Sequence, residues 1–228
     1  MDIQELWDKY FEIYKTEDYD SIKNCLDELV KLGEFDALSL IGDLYAKGEG
    51  VEQNYDKAFE YYNLALEHDC VKANAHIAFL YYHGLGVEQD YKKAFELYKI
   101  VAENDISLGY YKMAYMYLNG EGVKVNFKKA RKNALIAKEK GSERANKLIT
   151  ILDGLDIAVK QGTASCVLFQ RELCISFPVA CEILDWLKEK GYVGKDKRTL
   201  LSEEEYEKLF KEIWVCIRIY WGSFGAVF

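Results

Sequence analysis

Apolar residues between positions 37 and 47 recur with the spacing of a single helical face. They follow the i, i+4, i+7, i+8 pattern of an amphipathic α-helix and are Ala37, Ile41, Leu44 and Tyr45. A Gly-x-Gly-Val segment begins at Gly48, and glycine is typical of the left-handed residue that ends a helix. A second helix is predicted from about Tyr55 to His68, with Ala58, Tyr62 and Ala65 on its inner face. The pattern therefore predicts a pair of helices joined by a glycine turn.

The same pattern recurs twice more, each time 36 residues further along the chain. Six positions are identical in all three copies: Tyr45/Tyr81/Tyr117, Gly48/Gly84/Gly120, Gly50/Gly86/Gly122, Val51/Val87/Val123, Lys57/Lys93/Lys129 and Ala58/Ala94/Ala130. A fixed period of this length indicates a repeat architecture. Because one helix pair cannot bury its apolar face alone, the copies are expected to stack.

Over residues 35–141 these units resemble Sel1-like repeats. The first half of that motif lies at residues 41–45, 77–81 and 113–117, and the second half at residues 55–58, 91–94 and 127–130. The usual tryptophan of the second helix is replaced by Tyr61, Leu97 and Asn133. The resemblance implies a mainly α fold, an α/α superhelical array of the TPR-like kind.

We expect a repeat domain at residues 1–153. Its parts are a capping unit at 1–36, repeats at 37–72, 73–108 and 109–144, and a closing helix that ends at 153. The capping unit is suggested by the register, since a shift of 36 residues places Tyr19 on Tyr55.

The resemblance also implies a scaffold, because Sel1-like proteins are adaptors whose concave surface, lined by the first helix of each pair, holds other proteins. Helix geometry leaves nine residues on that surface: Leu40, Asp43, Lys47, His76, Phe79, His83, Lys112, Tyr115 and Asn119. Phe79, Tyr115 and the two histidines would form an aromatic patch suited to gripping a peptide. The alternative is that Phe79 and Tyr115 pack between repeats.

The 36-residue period stops after residue 153. A short helix is predicted at 165–173 and a longer one at 178–190, with Pro178 in its first turn, where a missing N–H costs nothing. A strand is predicted to begin at 192 and to turn through 195–198. Helix, turn, helix and β wing together form the outline of a small winged helix-turn-helix domain, at residues 154–201.

This segment resembles the γ domain of FtsK-type DNA translocases over residues 151–200. The matching residues are Ala164, Ser165, Leu168, Phe169, Gln170, Arg171, Ile175, Ser176, Phe177, Ala180, Ile183, Leu184, Gly191, Tyr192 and Val193. That family reads DNA with an Asn-Arg pair, which Pro178 and Val179 replace here.

Two interpretations of this domain stay open. The residues that could contact phosphates are Arg171, Lys195, Lys197 and Arg198. They would support weak binding of duplex DNA by a DNA-associated adaptor. Alternatively, the domain has lost its DNA-reading function and now binds protein or is purely structural. The apolar C-terminal helix predicted at 202–228 either packs against this domain or forms a partner surface.

Composition narrows the functional classes. The net charge of −8 excludes a nucleic-acid coat protein and a polybasic membrane binder. No apolar stretch approaches the roughly 20 residues of a membrane span, and the acidic, amphipathic start does not match a secretory signal, so a cytoplasmic protein is expected.

Motifs that would indicate catalysis or metal binding are missing from the sequence. Neither a phosphate loop nor a nucleophile elbow occurs, and we expect no enzymatic activity, no cofactor and no metal. The six cysteines contain no C-x-x-C pair and are expected to be buried, reduced thiols.

Overall fold

The computed structural model describes residues 2–194, and it is helical over most of that range. The helices are α1 (Ile3–Tyr14), α2 (Tyr19–Lys31), α3 (Asp36–Lys47), α4 (Tyr55–Glu67), α5 (Ala73–His83), α6 (Tyr91–Glu103), α7 (Ser107–Asn119), α8 (Phe127–Glu139), α9 (Arg144–Gln161), α10 (Cys166–Leu173) and α11 (Phe177–Glu189). In this part of the chain β structure is limited to isolated bridge positions at Thr163 and Val193. None of the described helices is long and apolar enough to cross a membrane.

The two glycines of each repeat turn have different structural roles. Gly48 ends α3 in the left-handed conformation, with φ of 74°. Gly50 permits a close approach, since a Cβ atom there would lie 2.2 Å from Cβ of Tyr19, the first residue of α2. Gly86 stands in the same relation to Tyr55, the first residue of α4, at 2.8 Å. The second glycine of the turn therefore lets that turn contact the second helix of the preceding unit.

The chain divides into two compact units, the first being Met1–Gly109. In this unit each of the helices α1 to α5 packs against the next one along the chain. Leu6 of α1 and Leu26 of α2 belong to the same buried cluster as Ile41 and Leu44 of α3. The segment before residue 36 thus shares its core with the first repeat.

The second unit begins at Tyr110, within α7, and is described up to Gly194. Here α9 packs against α8, α10 and α11. Phe127 of α8 and Phe169 of α10 are fully buried in one cluster with Leu152.

The closing helix is longer than predicted. It does not end at residue 153, because α9 continues to Gln161, where Gly162 ends it in the left-handed conformation. The apolar spacing continues through Leu155 and Ala158, which are both fully buried. The expected domain boundary therefore falls inside a continuous helix, and the division into a repeat domain and a C-terminal domain stays a prediction.

The two helices predicted after residue 162 agree with α10 and α11 to within one residue at each end. Pro178 lies in the first turn of α11, and Gly191 has a φ of 72° just after that helix. The predicted turn at 195–198 and the predicted helix at 202–228 lie outside the described residues.

Candidate functional site

The identical tyrosine and lysine of each repeat contact each other. The distances from Nζ to the ring centroid are 5.1 Å for Lys57 and Tyr45, 4.2 Å for Lys93 and Tyr81, and 5.3 Å for Lys129 and Tyr117. A cation this close to an aromatic face is attracted by the ring. Two of the six identical positions are therefore explained by contacts within each repeat.

Two residues of the predicted surface, Asp43 of α3 and His76 of α5, are in direct contact. Nδ1 of His76 lies 3.0 Å from Oδ1 of Asp43. The hydroxyl of Tyr62, in α4, donates a hydrogen bond of 2.7 Å to the same oxygen, and its ring stacks on His76 at 4.8 Å. Sequence reasoning assigned Tyr62 to the core only, and it is indeed buried; its hydroxyl is what joins it to this network.

Electrostatics favour a charged Asp43 and a neutral Tyr62. Burial acts to raise the pKa of Asp43, but the hydrogen bonds from His76 and Tyr62 outweigh it and lower that pKa. Burial and the neighbouring carboxylate raise the pKa of Tyr62 far above its usual range. At neutral pH the hydroxyl of Tyr62 therefore donates to an ionised carboxylate.

Phe79 is an exposed aromatic residue of α5, with 43% of its surface accessible to solvent. The ring lies 4.3 Å from that of His83, centroid to centroid, and His83 also contacts Tyr82 at 4.8 Å. An aromatic side chain held in this way offers an apolar face to solvent at the end of α5.

The two remaining predicted residues of α3 differ in their exposure to solvent. Leu40 is half-buried against the cluster that joins the first three helices. Lys47 is exposed, and its Nζ lies 3.7 Å from a carboxylate oxygen of Glu49.

The three predicted residues of α7 belong to the second unit. Burial and the charge of Arg144 lower the pKa of Lys112, and burial raises the pKa of Tyr115. Tyr115 packs against the apolar cluster of this unit, and Asn119 donates a hydrogen bond of 3.0 Å to its carbonyl oxygen. These side chains are half-buried, unlike Phe79.

Of the four residues predicted to contact DNA, only Arg171 is described. It is exposed and forms an ion pair of 2.7 Å with Glu172. The other three residues, Lys195, Lys197 and Arg198, lie outside the residues that the structure describes.

The cysteines depart in part from the expectation of buried thiols. Cys25 and Cys70 are buried, whereas Cys174, which ends α10 in the left-handed conformation, is exposed. Cys166 and Cys181 are half-buried, with their sulfurs 2.7 Å apart. Across residues 2–194, no group of three or more His, Cys, Asp or Glu side chains is arranged to hold a metal ion.

Successive helix pairs with a Gly-x-Gly turn define an all-helical repeat protein. The Sel1 repeat matches residues 35–70, 71–105 and 107–142. The chain therefore contains three Sel1 repeats, as its sequence pattern predicted.

Solved structures add a likeness in fold. A protective antigen of uropathogenic Escherichia coli, c5321, which displays an SLR fold, is similar with a TM-score of 0.59 at 18% identity, over 93% of this chain and 56% of that one. A Sel1 repeat protein from Oxalobacter formigenes has 27% identity and a TM-score of 0.48, over 54% and 93%. Helicobacter pylori cysteine rich protein B has 26% identity and a TM-score of 0.43, over 55% and 95%. No curated protein matches the chain.

Proposed function

We propose that the protein is a non-enzymatic interaction scaffold that binds a protein partner on the first helices of its Sel1 repeats. Sel1 repeats are typical of protein-interaction scaffolds, and three of them are present. The exposed ring of Phe79 is the observation on which the proposal rests, since aromatic anchors of this kind dominate protein interfaces.

The partner is expected to insert an apolar or aromatic side chain against Phe79. His83 supports the ring from one side, so little conformational entropy is lost when the ring is covered. Asp43 and His76 are already bound to each other and would serve as a polar rim.

The test compares capture of partner proteins by the full chain and by two alanine variants. Leu64 of α4 is the matched control, because it is also 43% exposed but lies on a second helix. We expect Phe79→Ala to reduce the captured partner at least tenfold and Leu64→Ala to leave it unchanged, as the loss of a central anchor costs about 2 kcal/mol or more. Equal capture by both variants would contradict the proposal, and unfolding of Phe79→Ala would favour packing between repeats.

A winged helix at residues 154–201 is proposed as a second interaction module. Its support is the succession of α10, a short turn and α11, with Pro178 in the first turn of the second helix. Pro178 and Val179 are exposed and uncharged at the position where the γ domain reads bases, which favours a protein-binding or structural role.

The alternative function is a DNA-binding adaptor, and a titration of the full chain with duplex DNA at about 150 mM salt separates the two. Non-specific binding has dissociation constants of about 10⁻⁴ to 10⁻⁶ M under such conditions. Sub-micromolar, sequence-dependent binding that Arg171→Ala weakens would favour the DNA-binding adaptor. Binding weaker than this range would favour the scaffold.

A further inference from the structure

Two cysteines of the C-terminal helices lie side by side. Sγ of Cys181, in α11, lies only 2.7 Å from Sγ of Cys166, the first residue of α10, which is closer than two unbonded sulfurs normally approach. Both residues are half-buried, so small reagents can reach the pair. The buried cysteines of the first unit have oxygen partners instead: Cys25 bonds to a backbone carbonyl and Cys70 contacts the hydroxyl of Ser39.

We propose that Cys166 and Cys181 form a reversible disulfide, a redox modification site that links α10 to α11. A disulfide bond is about 2.05 Å long, so the two sulfurs need to approach by only about 0.7 Å. Small rotations of the two side chains supply such a movement, because the helices that hold them already pack against each other.

The two thiols also differ in their surroundings. The contact with Cys166 raises the pKa of Cys181 to about 11, with burial and the neighbouring sulfur adding to the effect. Cys181 therefore keeps its proton at neutral pH, and we assign the attack to Cys166, its close neighbour.

The oxidant would be a low-molecular-weight disulfide such as glutathione disulfide. The thiolate of Cys166 attacks one sulfur of the reagent, forms a mixed disulfide and expels one glutathione thiolate. Cys181 then loses its proton to solvent and attacks the sulfur of Cys166, which expels the second glutathione thiolate. Two electrons pass from the protein to glutathione, and excess reduced glutathione reverses both steps.

The test treats the full chain with glutathione disulfide, blocks free thiols by alkylation and analyses tryptic peptides by mass spectrometry. The background is Cys174→Ser, because residues 174 and 181 fall in one tryptic peptide, 172–188, whereas residue 166 falls in 161–171. We expect these two peptides to be joined, with the loss of two hydrogens. In Cys181→Ser on the same background we expect Cys166 to retain one glutathione.

A second readout is the thermal unfolding midpoint, which oxidation should raise by about 5–10 °C, because the bond reduces the conformational entropy of the unfolded chain. Reduction by dithiothreitol should reverse that increase, and Cys166→Ser should abolish it. Absence of the joined peptide from the folded protein across all glutathione ratios, while urea-unfolded protein forms it, would overturn the proposal. Equal glutathione labelling of residues 166 and 181 in the two single variants would overturn the assignment of the attacking sulfur.

Discussion

Gly42 of α3 lies directly against the ring of Tyr62 in α4. A Cβ atom at Gly42 would be 2.5 Å from Cε1 of that ring. The ring cannot easily move away, because its hydroxyl is bonded to Asp43 and its face is stacked on His76. The glycine therefore sets how closely the two helices of the first repeat approach.

Gly42→Ala is expected to destabilise the protein. Alanine normally favours a helix over glycine by about 1 kcal/mol, whereas overpacking a core costs about 1–3 kcal/mol, so we expect a net loss of about 1 kcal/mol in urea unfolding. In a Tyr62→Ala background the same substitution should stabilise, because the clash is gone. Stabilisation in the native background would contradict the close contact.

The repeat pattern predicted most of the fold because it reflects the local conformational preferences of the residues as well as the packing of the helices. The helix bounds, the left-handed Gly48 and the position of Pro178 all follow from rules that act within a few residues. The extension of α9 to Gln161 was available from the same pattern, since Leu155 and Ala158 continue the buried face.

The candidate site was less predictable because its contacts join residues distant in the chain. The period placed Asp43 and His76 on one surface, but their contact depends on how closely helices of successive repeats approach. Tyr62 was recognisable as an inner residue, yet nothing in the sequence showed that its hydroxyl would meet Asp43.

Asp43→Asn should lower stability in a pH-dependent way. The folded state lowers the pKa of Asp43, so its stabilisation is present above the ordinary aspartate pKa of about 3.9 and is lost as pH falls through the lower folded value. We expect the variant to lose about 1–3 kcal/mol at pH 7 and to approach the parent in urea unfolding as pH falls below the ordinary aspartate range. The control is Glu60→Gln, an exposed carboxylate in the middle of α4, which should change little. A loss independent of pH would rule out the charged carboxylate as its source.

Lys93→Met should cost about 0.5–1 kcal/mol of unfolding free energy. Nζ of Lys93 lies 4.2 Å from the centroid of Tyr81 and donates a hydrogen bond of 2.6 Å to its hydroxyl. Methionine keeps the apolar stem but removes the cation and its attraction to the ring. Lys92→Met, next to it on the exposed face of α6, is the matched control and should be neutral. Equal effects of the two variants would refute the cation–π explanation of the identical lysine in each repeat.

Arg131 of α8 holds two carboxylates of α9. Its guanidinium donates to Asp153 and, over 2.7 Å, to Asp156. The second carboxylate is mostly buried, and its Oδ1 atom has no hydrogen-bond partner. Burial raises the pKa of Asp156, while the charge of Arg131 opposes that rise. The positive charge of Arg131 is therefore the main interaction that offsets the cost of burying the Asp156 carboxylate.

Arg131→Met should lower the free energy of unfolding by about 2–3 kcal/mol at pH 7. This loss is smaller than that for a fully buried ion pair, because solvent reaches both carboxylates. A raised folded pKa means that Asp156 favours the folded state at low pH and opposes it as pH rises. The deficit of the variant should therefore shrink as pH falls from 7 towards about 4, because protonation of Asp156 removes the unpaired charge. Urea unfolding at both pH values measures this, with Arg171→Met as the exposed control. A deficit of equal size at both pH values would show that lost packing, and not the unpaired carboxylate, destabilises the variant.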